Sequence, residues 1–217
     1  MIKAIIFDLD GVITDTAKYH FMAWKALADE LGFKFTIEDN ERLKGVSRMD
    51  SFNIILEING ALDKYSMEEK EAFCTRKNDL YKEFIKQVTP EDILPGIKEL
   101  MDKAKDAGIK MAVASVSKNA PAVLTSLGLI DSFDYIADAA RITKSKPDPE
   151  IFAVCGEALG VLPEECIGIE DSQAGIESIH AAGMTSVGIH VTVTSLEPDV
   201  VLASTSELEF EKLTCVK

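Results

Sequence analysis

Residues 1–16 read MIKAIIFDLDGVITDT. One lysine precedes an apolar run, Ala4 to Phe7, and two aspartates then flank a single leucine, Asp8-Leu9-Asp10. A short apolar run bounded by turn residues reads as a buried strand, here residues 3–10. Side chains alternate along a strand, so Asp8 and Asp10 share one face and Leu9 takes the other. Gly11 follows where the chain must turn. The two carboxylates therefore mark the carboxyl end of a strand, the end at which open α/β sheets bind their ligands.

Working outward, three further segments read as buried parallel strands: IKMAVAS (109–115), CIGIED (166–171) and TSVGIHV (185–191). Each follows a helix-like stretch ending in glycine, at Gly108, Gly160 and Gly183, and glycine just past a helix end is a stop signal. FDYIADA (133–139) reads as a fifth strand. This alternation predicts an α/β fold: a Rossmann-like core whose parallel sheet is covered on both faces.

Between Thr16 and Val88 the pattern changes. Phe21, Trp24, Leu27, Ala28 and Leu31 recur at helical spacing. Ser66-Met67-Glu68-Glu69 is a capping-box pattern that opens another helix, running through Phe73, Leu80, Tyr81, Phe84 and Ile85. The reading is an inserted helical cap domain at residues 16–88, with the core built from residues 1–15 and 89–217. Two short links join them, a natural hinge.

Composition bounds the function. The chain has 217 residues, 47% of them hydrophobic, enough for one core and a small second domain. A net charge of -14 argues against sequence-blind nucleic-acid binding, which needs a basic surface, but leaves room for an anionic small substrate in a local positive patch. Cys74, Cys155, Cys166 and Cys215 are scattered, without CxxC or zinc-finger spacing, so a reducing cytoplasm is expected. No apolar run approaches the roughly 18–20 residues of a membrane span, and the apolar run at the N-terminus is too short for a signal peptide. Neither GxGxxG nor GxxxxGK[ST] occurs, which weakens a nucleotide-binding role.

Other strand ends also finish in chemistry: Ser115 on one, Glu170-Asp171-Ser172 on another, with Lys146 in SKPDP after the fifth strand. Taken alone, Asp8 and Asp10 could cap a turn, Glu170-Asp171 could cap a helix, and Lys146 could sit on the surface. Taken together, four carboxylates converging on one spot need a positive partner or protonation. Oxygen donors suit Mg²⁺, which often also coordinates substrate phosphate, and Lys146 adds a fixed charge.

DLDGVITDT, the Ser115 strand end, Lys146 and GIEDSQAGIESIHAAG together resemble the haloacid dehalogenase superfamily. The resemblance implies that Asp8 is the nucleophile and forms an aspartyl-phosphate, and that Asp10 is the general acid/base. It implies that Asp8, Asp10 (through its backbone carbonyl) and Asp171 hold Mg²⁺ with Glu170 beside them, and that Ser115 and Lys146 hold the transferring phosphoryl oxygens.

TDTAKYHFMAWKAL, LKGVSRMDS, TRKNDLY and SVSKNAP resemble, more narrowly, the β-phosphoglucomutase family along most of the chain. The match weakens after Val191 and around Gly60–Lys64. This resemblance implies interconversion of β-D-glucose 1-phosphate and glucose 6-phosphate through β-glucose 1,6-bisphosphate by a monomeric enzyme. It implies that Arg48, completed by Ser117, Lys118 and Asn119, grips the second phosphate. Lys44, Gly45, Val46 and Ser47 would contact the sugar together with Ser51 and Trp24. His20 would pair with Lys77 and couple cap closure to Asp10, and Thr16 would shape the hinge. Val116 replaces a residue that is more commonly smaller in the family, so it is a candidate for setting sugar preference. A sugar-phosphate phosphatase, or a mutase for another hexose phosphate, is the alternative.

Overall fold

The computed structural model describes residues 1–191 and 195–214; Cys215 lies outside them. In chain order the first elements are β1 (Ala4–Phe7), α1 (Ala17–Glu30), α2 (Ile37–Asn40), α3 (Arg48–Ile58) and α4 (Met67–Phe84). Then come α5 (Ile97–Asp106), β2 (Lys110–Val113), α6 (Ala120–Ser126), β3 (Tyr135–Ile136) and α7 (Glu150–Leu159). The chain closes with β4 (Cys166–Glu170), α8 (Gln173–Ala181), β5 (Thr185–Ile189), β6 (Val200–Leu202) and α9 (Phe210–Leu213). It divides into two compact units, one of residues 1–15 and 88–217, the other of residues 16–87.

The first unit is an α/β fold. Its strands form one parallel sheet in the order β3-β2-β1-β4-β5-β6. Strand order reverses beside β1, and a crevice outside the carboxyl ends at such a switch point is where doubly wound sheets bind ligands. β1 is buried throughout, as its uninterrupted AIIF sequence requires of a central strand. Ala4, Ile6, Ala112, Ile151, Phe152, Ile176 and Ile179 belong to the apolar cluster of one buried core. The expected glycine stops are present: Gly108, Gly160 and Gly183 all adopt positive φ just past α5, α7 and α8.

The second unit is helical. Trp24, Leu27, Ala28, Phe35, Phe52, Ile55 and Leu56 form its core, with the Trp24 and Phe52 rings stacked at 6.0 Å. The Ser66 capping box closes as its sequence predicts: the Ser66 hydroxyl accepts the Glu69 N–H at 3.2 Å, and the Glu69 carboxylate accepts the Ser66 N–H at 2.8 Å.

Four features differ from the sequence reading. The strands are shorter than the segments read for them; β1 ends at Phe7 and not at Asp10, so Asp8 is the first residue beyond it and Asp10 lies in the following turn, not on the strand. The fifth strand shrinks to Tyr135–Ile136, because the Asp134 carboxylate accepts the Met111 N–H at 2.8 Å at that end and Asp138 turns the chain at the other. β6 is a strand that the sequence reading does not include: its apolar run, Val200–Leu202, is only three residues long, it lies at the edge of the sheet, and Val201 is exposed. On α4 Leu80 faces solvent, and the buried face is Cys74, Lys77, Asn78 and Tyr81. That stripe follows i, i+3, i+4, i+7 but includes a lysine and an asparagine, which apolar periodicity passes over.

Candidate active site

The register of the sheet builds the site. Phe7 lies opposite Val113 on one side and Ile169 on the other. The ladder continues one step, with Asp8 N–H donating to Ile169 C=O at 2.9 Å and Ala114 N–H to Phe7 C=O at 2.8 Å. Asp8, Ser115 and Glu170 are thus delivered together at the carboxyl ends of three adjacent strands. After Asp8 the chain turns tightly. Gly11 N–H donates to Thr14 C=O at 2.8 Å, and Leu9 C=O accepts from both Ile13 and Thr14. The Thr14 hydroxyl then donates to Asp92 C=O at 2.8 Å, fastening this turn to the returning chain.

Lys146 stands at the centre. It is 1% exposed, and its Nζ lies 2.6 Å from Asp8 Oδ1 and 2.7 Å from Glu170 Oε2. Burial works against its charge, but Asp8 and Glu170 outweigh that and raise its pKa. Its loop is pinned from two directions. The Ser178 hydroxyl donates to Asp148 C=O at 2.7 Å, and the Glu150 carboxylate accepts the N–H groups of Thr143 and Lys144.

Glu170 is enclosed by donors. Its Oε1 accepts the Asp171 N–H, the Ser172 N–H and the Ser172 hydroxyl at 2.9–3.1 Å, while Oε2 holds Lys146. Ser172, read from the sequence only as part of the Glu170-Asp171-Ser172 strand end, has a specific role here. It caps α8 by accepting the Gly175 N–H at 3.1 Å and at the same time donates to Glu170. Its signal was present as a serine one residue before a helix.

Asp8, Glu170 and Asp171 each offer a carboxylate oxygen within 4.8 Å of the others. Burial, then Glu170, pushes the Asp8 carboxyl well above its usual range, with Asp10 and Asp171 adding to the rise and Lys146 opposing it. An ionised Asp8 therefore needs more positive charge than Lys146 supplies. An all-oxygen donor set fits a hard divalent cation. Asp10 is half-buried in the turn that follows. Ser115 is buried, and its Oγ accepts the Ser117 N–H at 3.2 Å. Beyond it Ser117 and Asn119 are half-buried and Lys118 is exposed. Val116 packs against the apolar cluster of the sheet.

In the helical unit, Arg48 opens α3 behind Ser47, whose hydroxyl accepts the Asp50 N–H at 3.2 Å. Gly45 turns the preceding loop with positive φ, Val46 is half-buried, and Lys44 pairs with Glu41 at 3.2 Å. The Ser51 hydroxyl donates to Ser47 C=O at 2.9 Å. Thr16 is buried at the N-cap of α1. His20, half-buried, lies on the same face of that helix as Trp24, which is buried in the core. Lys77 is 2% exposed; its Nζ is 2.7 Å from His20 Nδ1 and sits over the Trp24 and Tyr81 rings. Burial, then Lys77 and Arg48, lowers the His20 pKa well below the usual imidazole value. A neutral His20 thus accepts from the Lys77 ammonium at Nδ1 and carries its own proton on Nε2.

A family model of haloacid dehalogenase-like hydrolases matches residues 2–183. The chain belongs to the haloacid dehalogenase-like hydrolase family. Within this family it is 47% identical over 211 residues to a β-phosphoglucomutase of Bacillus subtilis, covering 97% of this chain and 93% of that protein. It is 30% identical over 190 residues to a phosphorylated carbohydrates phosphatase of Thermotoga maritima, covering 85% and 83%. Among solved structures, a crystal structure of β-phosphoglucomutase from Clostridium difficile superposes with a TM-score of 0.93 at 46% identity, covering 98% of this chain and 96% of that one. The haloacid dehalogenase-like fold is the Rossmann-like sheet described above.

Proposed function

We propose that the protein is a Mg²⁺-dependent mutase that interconverts β-D-glucose 1-phosphate and glucose 6-phosphate through an aspartyl-phosphate and β-glucose 1,6-bisphosphate. The observation that carries this reading is the 47% identity, sustained over 97% of the chain, to a β-phosphoglucomutase. Asp8 is the nucleophile. Its carboxylate oxygen bonds to phosphorus as the phosphorus–oxygen bond of the donor breaks, and Asp10 protonates the leaving oxygen. In the second half Asp10 takes the proton of the acceptor sugar hydroxyl, which attacks the aspartyl-phosphate and frees Asp8. Charge in a phosphoryl group in flight is spread over its equatorial oxygens, so fixed positive charge and donors dominate the rate.

Lys146 supplies that charge from a buried position. Ser115 adds a hydroxyl whose oxygen is already oriented by the Ser117 N–H, leaving its hydrogen for a phosphoryl oxygen. Asp8, Asp171 and the Asp10 backbone carbonyl are the proposed holders of Mg²⁺, with Glu170 beside them. When bound, the ion offsets the crowded carboxylates and the phosphoryl charge.

Residues 16–87 form the proposed cap, and Arg48 is the proposed grip on the non-reacting phosphate, since its planar fork matches phosphate oxygens. Lys44 to Ser47 are proposed sugar contacts. Ser117, Lys118 and Asn119 are proposed phosphate contacts from the α/β unit. A monomer in the cytoplasm is part of the reading, in keeping with the free buried thiols of Cys74, Cys155 and Cys166.

The test supplies β-glucose 1-phosphate, Mg²⁺ and a trace of the 1,6-bisphosphate, and follows glucose 6-phosphate and free phosphate in parallel. Glucose 6-phosphate with little free phosphate is expected. Free phosphate without glucose 6-phosphate makes the protein a phosphatase and removes the role given to Arg48.

A further inference from the structure

The Glu170 side chain leaves β4 and folds back over the first turn of α8, where Gly175 faces it. A Cβ built on Gly175 falls 2.0 Å from Glu170 Cδ and 2.0 Å from Glu170 Oε2, far inside contact distance. Gly175 sits within a helix, not at a turn, so backbone conformation does not demand a glycine here. A flexible glutamate would ordinarily swing aside. This one is held on both oxygens: Oε1 by the Asp171 and Ser172 N–H groups and the Ser172 hydroxyl, Oε2 by Lys146. It is 1% exposed, so there is no solvent-filled space to move into. Any displacement therefore passes to Lys146 Nζ, and from Lys146 to Asp8, 2.6 Å further on.

We propose that Gly175 is a positioning residue: its missing side chain leaves the volume in which the Glu170 carboxylate lies, and through Glu170 it sets Lys146 against Asp8. The proposal uses the phosphoryl-transfer reading for its kinetic test, but its geometric content stands without it. Gly175 touches neither substrate nor reacting atoms. What it controls is where the Lys146 charge sits.

The experiment compares the parent with Gly175→Ala, Glu170→Ala and the double variant, by crystal structure without metal and by steady-state kinetics with Mg²⁺. Gly175→Ala is expected to move Lys146 Nζ out of hydrogen-bond reach of Asp8 or Glu170. A misplacement on the order of 1 Å lowers kcat about 10²-fold while KM changes little. Glu170→Ala removes the atoms nearest the new Cβ, Cγ at 2.2 Å included, so in that background Gly175→Ala is expected to cost little further turnover. Glu170→Ala alone slows the enzyme, because Lys146 loses the partner at 2.7 Å. An unmoved Lys146 with kcat near the parent value overturns the proposal. So does a double variant that loses as much again from Gly175→Ala as the parent does, or failure of both Gly175 variants to fold, which would place the clash in the fold instead of the carboxylate. A parent without sugar-phosphate activity would refute the functional reading, while the crystal structures would still decide the role of Gly175.

Discussion

Replacing Lys146 by methionine keeps a stem of similar length and removes the charge. In the native protein Nζ sits 2.6 Å from Asp8 and 2.7 Å from Glu170, with the lysine side chain fully buried. Without it two carboxylates face each other in a site that burial has closed to water. Breaking a buried ion pair from one side costs about 3–5 kcal/mol. For a chain of this size each kcal/mol lowers Tm by roughly 2–4 °C, so the variant should melt about 6–20 °C below the parent at pH 7.5 in chelator.

The pH dependence fixes the mechanism. Burial, then Glu170, already raises Asp8, and loss of Lys146 raises it further. A carboxyl raised in the folded state contributes stability below its unfolded pKa of about 3.9 and loses that contribution as pH climbs through the folded value. The gap between variant and parent should therefore be widest near pH 7.5 and narrow toward pH 5, as the stranded carboxylates take up protons. Paired melting curves across that range measure it. A gap under about 2 °C at pH 7.5, or one that widens in acid, would refute the account of Lys146 as the counter-charge of this cluster.

Asp10→Asn should keep Mg²⁺ affinity in calorimetry, since its proposed metal contact is a backbone carbonyl, and lose about 10²–10⁴-fold in turnover; near-parent turnover contradicts the acid/base role. His20 should stay neutral, as the Nε2–H tautomer, well below the usual imidazole pKa. Lys77→Met should raise its pKa in an NMR titration, because Lys77 is the first charge opposing protonation. A histidine so depressed favours the folded state above about pH 6.5 and loses that contribution as pH falls through the folded value, so denaturant midpoints should drop in mild acid and less so in Lys77→Met. Ser66→Ala should cost about 1 kcal/mol in denaturant unfolding, the ordinary price of an N-cap; no change would mean the α4 start is held by other contacts.

What could be read from the sequence had a periodic or local cause. The AIIF run predicts a central strand because β1 is buried on both faces, and Asp8 marks its carboxyl end within a residue. The Ser66 box and the stops at Gly108, Gly160 and Gly183 depend only on neighbours in the chain, and they stand where expected. β6 escaped because its apolar run is only Val200–Leu202, at the sheet edge with Val201 exposed, too short to stand out as a strand. The burial of Lys77 is not legible from the spacing of its own helix, because it depends on Trp24, Tyr81 and His20, which arrive from another helix and from the next turn of its own. The role of Gly175 was invisible for the same reason: what matters there is the Glu170 side chain folded over the helix, a contact that local sequence does not encode.

The central claim is that Asp8 carries the phosphoryl group and hands it to a sugar. Protein labelled with ³²P from β-glucose 1,6-bisphosphate should be quenched in acid and mapped by peptide, then chased with β-glucose 1-phosphate. The account predicts label on the peptide containing Asp8, none in Asp8→Asn, and transfer of the label in the chase to sugar bisphosphate, with little reaching inorganic phosphate. Label on another residue would contradict the assignment of the nucleophile, and a chase that sends it chiefly to water would contradict the mutase.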